Sequence, residues 1–229
     1  MTIVSIHQPM FYPYLGVFYK ILKSDKFCFL DDAQYTKSYC FAWNKIKTPN
    51  GECRFHLPIS YKFGDGLNEV RLTNNHWQEK MLEMLYFNYK RSEHFEEVYE
   101  DVKSVIYGNY EFLSEICASS VIKVLDKMNY DTKNIYFSSD LDTKFFKEQR
   151  VIEICKKLGA TMYYSGNGAR EYQNQYDFNA NGILLSYTSF KPKEYQQNFV
   201  KQCGFIENLS ILDYVFNEGY NKQKILEMW

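Results

Sequence analysis

No run of residues in this chain approaches the roughly 18 consecutive apolar positions that a membrane-spanning helix requires, so no membrane span is expected. Nor is there an excess of either charge: 27 Lys and Arg stand against 28 Asp and Glu, a net charge of −1. So balanced a chain carries no electrostatic footprint for nucleic acid or an anionic membrane surface. The six cysteines (Cys28, Cys40, Cys53, Cys117, Cys155 and Cys203) form no C-x-x-C pair and no Cys/His spacing of a zinc site. They read as reduced thiols, and no metal site is expected. A strand-like run follows Met1 at once, so no secretory leader and a cytoplasmic location are expected. P-loop, G-x-G-x-x-G, G-x-S-x-G, H-E-x-x-H and EF-hand motifs are all missing, so nothing names a cofactor. With no internal repeat, low-complexity segment or linker, the 229 residues are expected to form a single α/β domain.

What is present is apolar and aromatic. Hydrophobic residues make up 45%, enough for a full core, and there are 21 Tyr and 18 Phe. Tyrosine offers a flat surface with a polar tip, which suits sugar and nucleotide pockets as well as interfaces. Core filling is its commoner use.

The first thirty-two residues organise the rest. An apolar run at 3–6 ends in His7-Gln8-Pro9, and a loop with Pro9 and Pro13 leads to Gly16. A helix-like segment follows at 17–23, then a second apolar run at 27–30 that stops at Asp31-Asp32. Strand, loop, helix, strand at this spacing predicts parallel strands. Their carboxyl ends would lie side by side where open α/β sheets bind ligands.

Further along, Thr48-Pro49-Asn50-Gly51 is a hairpin signal, followed by an alternating strand over 53–59 and a short strand near 68–72. Residues 75–130 read as a helical insertion, with Trp77, Met81, Leu82, Leu85 and Tyr89 at helical spacing. Alternation of strand and helix then resumes. A strand is predicted at 135–138, a helix at about 144–158 ending at Gly159, and a strand at 161–164. A helix-like stretch at 171–175 and a strand at 182–187 follow. Ser210 is a plausible N-cap for a last helix. The fold expected is α/β, with a mostly parallel sheet.

His7 is the sharpest chemical candidate. After a strand and at the ligand edge it can act as general base or donate to a phosphate or oxyanion. The plainer alternative is a histidine that holds its own turn. Asp31 and Asp32 can orient His7, act as a base or hold Mg²⁺, or they can be a solvated turn. Gln8, Gln34, Lys37, Asn44 and Lys45 are amide and ammonium groups able to hold a phosphate or carboxylate. Ser165-Gly166-Asn167-Gly168 follows a strand directly, and its glycines let backbone N–H groups approach an anion. A tight strand-to-helix turn would need the same glycines.

A resemblance is carried by His7-Gln8-Pro9, Tyr12-Pro13, Gly16, Lys20, Ser24-Asp25, Leu30-Asp31-Asp32, Gln34 and Asn44-Lys45-Ile46. It continues in Tyr164-Ser165-Gly166 with Gly168, Tyr187, Tyr195, residues 209–213, Asn217 and Gly219. Together these resemble the WbqC-like family over nearly the whole chain. One departure is Trp43, where that family usually has Arg before the Asn. An anion contact made by that Arg would fall here to Lys37 or Lys45. The resemblance implies bacterial surface-polysaccharide (O-antigen) biosynthesis. The expected activity is transfer of an acyl or aminoacyl group to a nucleotide-linked amino sugar, with His7 as base oriented by Asp31 or Asp32. Tyr12, Tyr187 and Tyr195 would contact the sugar or base. The opening unit is also similar, more weakly, to nucleotidylyltransferase-like folds. That leaves an ATP- and Mg²⁺-dependent nucleotidyl transferase or ligase as one alternative, and a non-catalytic sugar-nucleotide-binding or scaffolding subunit as another. A homo-oligomer is compatible with all three.

Overall fold

The computed structural model describes residues 1–73 and 76–228. Five strands, β1 (Ile3–His7), β2 (Lys26–Phe29), β7 (Ile135–Phe137), β8 (Met162–Ser165) and β9 (Leu184–Tyr187), form one sheet in the order β7-β2-β1-β8-β9. Every pairing in it is parallel. Register sets His7 opposite Phe29, so the predicted β1–β2 unit is present with its carboxyl ends adjacent. The chain builds the sheet outward from β1 in one direction, then crosses back and builds outward in the other. β1 and β8 therefore flank the point where strand order reverses.

Among the described residues, two antiparallel pairs stand outside this sheet. Strands β3 (Trp43–Thr48) and β4 (Gly51–His56) form the predicted hairpin, with Gly51 at φ +98° in its turn. The expected strand over 53–59 is broken, because Pro58 cannot donate to a ladder. Only Ile59–Ser60 (β5) resumes, pairing with Arg71–Leu72 (β6).

Helices cover both faces. Helix α1 (Leu15–Leu22) is buried on nearly every side, as its sequence LGVFYKIL requires. The helical block follows as α2 (Trp77–Tyr89), α3 (Phe95–Ile106) and α4 (Leu113–Lys127); its expected start at residue 75 lies outside the described residues. After β7 come α5 (Lys147–Lys157) and, after β8, α6 (Gln175–Ala180). The chain closes with α7 (Val200–Cys203), α8 (Ile211–Glu218) and α9 (Lys222–Leu226), with Ser210 capping α8 through its hydroxyl. The helix expected at 171–175 begins instead at Gln175. Asn174 caps it by accepting the Tyr176 N–H, which fixes the start there.

Alternation along the strands divides the core. Phe27 and Phe29 join the larger cluster under α1, α2–α4 and α8. Val4, Ile6 and Cys28 point the other way, against Ile152, Ile154 and Cys155 of α5 and Phe178 of α6. Among the described residues no helix is long and apolar enough to cross a membrane.

Candidate functional site

A cavity of about 600 Å³ opens at the carboxyl edge of the sheet, between the ends of β1 and β8. This is where strand order reverses, the usual ligand crevice of an open parallel sheet. Its volume lies within the roughly 300–1,000 Å³ of small-molecule sites. Ile6, His7 and Gln8 come from the end of β1, Ser165, Gly166, Asn167 and Gly168 from the end of β8, and Gly16, Val17 and Lys20 from α1.

The loop from β1 to α1 is held rigidly. Tyr12 is buried at φ +42°, a conformation unusual for a large side chain. Its carbonyl accepts from Asn44 Nδ2 (2.7 Å) and Ser210 Oγ (2.8 Å), and its N–H donates to Ser120 Oγ (3.0 Å). Strand β3, helix α4 and the start of α8 thus pin one residue, and with it the exit of β1 toward the cavity. Tyr12 and Asn44, candidates for ligand contact by sequence, sit in this clamp and not on the cavity wall.

His7 is half-buried, with Nδ1 2.8 Å from the Gln8 carbonyl oxygen. A carbonyl only accepts, so Nδ1 carries the proton and Nε2 is left as acceptor. Burial, helped by the nearby Lys20 ammonium, lowers the His7 pKa to about 3. The ring is therefore neutral at physiological pH. Lys20 is almost fully buried, and its Nζ donates to the Ile6 carbonyl at 2.9 Å. Desolvation brings its pKa down to about 7.

On the β8 side the Ser165 hydroxyl and Gln173 Oε1 are buried without a hydrogen-bond partner in the protein, and both residues line the cavity. Asn167–Ala169 forms a short 3₁₀ turn whose first bond runs from Ala169 N–H to the Gly166 carbonyl, so the turn offers no acceptor to the Asn167 and Gly168 amides. Tyr14, Tyr39, Tyr172 and Phe190 form an aromatic rim, with Tyr172 78% and Tyr39 42% exposed.

Of the residues singled out from sequence, the structure gathers His7, Gln8, Ser165, Gly166, Asn167 and Gly168 around one cavity. The others lie elsewhere. Asp31 and Asp32 turn toward β7, away from β1: Ser139 Oγ donates to Asp31 Oδ2 (2.6 Å), the Ser139 N–H to Asp31 Oδ1 (3.1 Å), and Ser138 Oγ lies 2.5 Å from Asp32 Oδ1. Arg150 pairs with Asp32. Burial would raise the Asp32 pKa, but Arg150 and Ser138 hold it below the ordinary carboxylate value. It is the Gln8 carbonyl that orients His7. Asp31 borders a second hollow, of about 420 Å³, with Asn68, Ser119 and Ser139. Lys45 pairs with Glu52, and Gln34 bridges to Gly66 by its backbone. Lys37 is exposed in the loop before β3. Trp43 carries the Arg54 guanidinium 4.4 Å over its ring, away from the cavity. Arg170 lies 4.8 Å over the ring of Tyr187. Tyr195 is buried, and its hydroxyl donates to Asp213 (2.8 Å).

Residues not picked out as ligand contacts include Lys20, Gln173 and the rim tyrosines. Lys20 had a signal: it is the one charged residue in an eight-residue helix that is otherwise apolar.

The uncharacterized protein Rv1507c of Mycobacterium tuberculosis is 29% identical over 224 residues, spanning 96% of this chain and 95% of that protein. No solved structure matches this chain. The model of the WbqC-like protein family matches residues 8–225, which take in α1, every strand after β1 and the cavity loop at 165–168. On that match the chain belongs to the WbqC-like protein family.

Proposed function

We propose that the cavity binds a nucleotide-linked amino sugar, and that the protein is a cytoplasmic enzyme of bacterial surface-polysaccharide biosynthesis that joins an acyl or aminoacyl group to the sugar amine. The observation that carries this reading is a neutral histidine, with Nε2 free to accept, in a roomy cavity at the reversal point of a parallel sheet. The aromatic rim supports it, since tyrosine faces pack well on sugar rings and bases.

In the reaction proposed, the sugar amine attacks an activated carboxyl carbon. The C–N bond forms, His7 Nε2 takes the amine proton, and the leaving group departs with the acyl bond's electron pair. A proton affinity as low as that of free His7 makes a weak base. Substrate phosphates beside it would raise that affinity, because a nearby negative charge favours imidazolium. The alternative of ATP- and Mg²⁺-dependent ligation, with Asp31 or Asp32 on the metal, has to contend with carboxylates already taken up by Ser138, Ser139 and Arg150.

A thermal-shift panel separates the readings. It contains dTDP-, UDP-, GDP- and CMP-linked sugars, amino and non-amino, and ATP with and without Mg²⁺. A ligand at 100 times its Kd stabilises a fold by about 2.7 kcal/mol. For a chain of this size that is a rise of roughly 5–10 °C in Tm. The expected result is such a rise with an amino-sugar nucleotide. A rise with ATP–Mg²⁺ alone would favour ligation, and a silent panel would leave a scaffolding role.

A further inference from the structure

We propose that Lys20 is the anion-binding group of this cavity, its buried ammonium pairing with the diphosphate of the bound small molecule. The inference rests on the reading of the cavity as a substrate site, and it names the chemistry that the site selects.

An ammonium has three N–H donors. Lys20 is 3% exposed and uses one of them, on the Ile6 carbonyl. Among the described residues no carboxylate forms an ion pair with it. The chain's other deeply buried lysine provides an internal comparison. Lys47 is fully buried and donates to Gln197 Oε1 (2.9 Å) and the Gly204 carbonyl, with Asp213 close enough to feel its charge. Where a buried lysine is structural, then, the fold surrounds it with acceptors and a counter-charge. Lys20 has one acceptor and no ion pair, yet it lines a cavity large enough for a ligand to supply the rest. An isolated buried charge is costly to a fold unless something pairs with it.

The opposite wall fits the same ligand. An added Cβ on Gly166 or Gly168 would meet nothing within 4 Å, and Gly166 sits at φ −73°, which any residue adopts. Neither internal packing nor backbone geometry demands glycine there. The backbone there is left open to close approach by a ligand. The Asn167 and Gly168 amides and the orphaned Ser165 hydroxyl are donors suited to phosphate oxygens. Gly16 and Val17, one helical turn before Lys20, line the cavity from the same face of α1.

Equilibrium binding of inorganic pyrophosphate, UDP and uridine to the wild type and to Lys20→Met tests the assignment. The wild type should bind pyrophosphate and UDP and prefer both to uridine. Lys20→Met should lose about 30-fold or more in affinity for the two anions, since removing one partner of a buried charge pair costs about 2 kcal/mol or more. Its ligand-free Tm should be no lower than that of the wild type, because a buried charge has been replaced by an apolar chain of similar length. Anion binding unchanged in Lys20→Met, or no anion binding by the wild type, would each overturn the assignment. Nucleotide-sugar binding that survives Lys20→Met would remove Lys20 from the site and leave the proposed function standing. Loss of pyrophosphate binding in Lys20→Met, with no nucleotide sugar recognised by the wild type, would uphold Lys20 and remove the proposed substrate.

Discussion

Replacing Asp213 by alanine should destabilise the fold by about 3–5 kcal/mol, the usual cost of removing one member of a buried charged network. That is a large part of the roughly 5–15 kcal/mol that holds a typical domain together. Asp213, on α8, is fully buried and accepts from Tyr89 on α2 (2.7 Å) and from Tyr195 (2.8 Å). The Lys47 ammonium on β3 lies nearby and depresses its pKa, and the Lys47 N–H donates to the Tyr89 hydroxyl (3.3 Å). Alanine would leave two hydroxyls buried without their acceptor and would take a nearby counter-charge from the Lys47 ammonium, which keeps Gln197 Oε1 and the Gly204 carbonyl. Urea unfolding measures the loss; a change under about 1 kcal/mol would mean the network contributes little. Asn at the same position should cost less, because it keeps the shape and one acceptor. Acidity provides a second signature. Burial raises the Asp213 pKa to about 6 from the ordinary 3.8, so the folded state holds this proton more tightly than the unfolded chain does. The stability this group contributes is complete below pH 3.8 and declines as pH rises through 6. Asp213→Asn should flatten that decline.

His7→Ala should lower turnover by about 10²–10⁴-fold, the usual contribution of a positioned general base, with the fold intact. The ring's hydrogen bond is to the carbonyl of the next residue, and it faces the cavity. Little of the core therefore depends on it. Turnover would be measured with the amino-sugar nucleotide and acyl donor that the ligand panel selects, and the fold checked by far-UV circular dichroism and Tm. Wild-type turnover in a folded His7→Ala would remove His7 as the base.

Much of the frame was readable from sequence because it is local. The β1–α1–β2 unit is written in short apolar runs that end in polar residues, and the 165–168 loop follows its strand directly. Both ended at one sheet edge, as their positions after strands imply. What could not be read is which way a polar side chain faces once distant elements pack. Asp31 and Asp32 follow closely on Phe29, the residue opposite His7 in the sheet, but their partners Ser138 and Ser139 arrive more than a hundred residues later, after β7. Tyr195 and Asn44 looked like contacts for a sugar or phosphate. In the fold, Asp213 and the Tyr12 carbonyl claim them first. The rim residues Tyr14, Tyr39 and Tyr172 were hidden among 21 tyrosines of identical chemistry. Pro58 shows the reverse case, a single residue whose missing N–H ended a strand that alternation alone would have continued.

Ligand is expected to bind at the reversal point between β1 and β8. The most direct test is to follow backbone amide NMR shifts while an amino-sugar nucleotide is added to the wild-type protein. The largest changes should fall on His7, Gln8 and residues 165–169, with the amides of Asp31, Asn68, Ser119 and Ser139 little affected. Changes centred instead on the hollow beside Asp31, or on the buried network around Asp213, would contradict it.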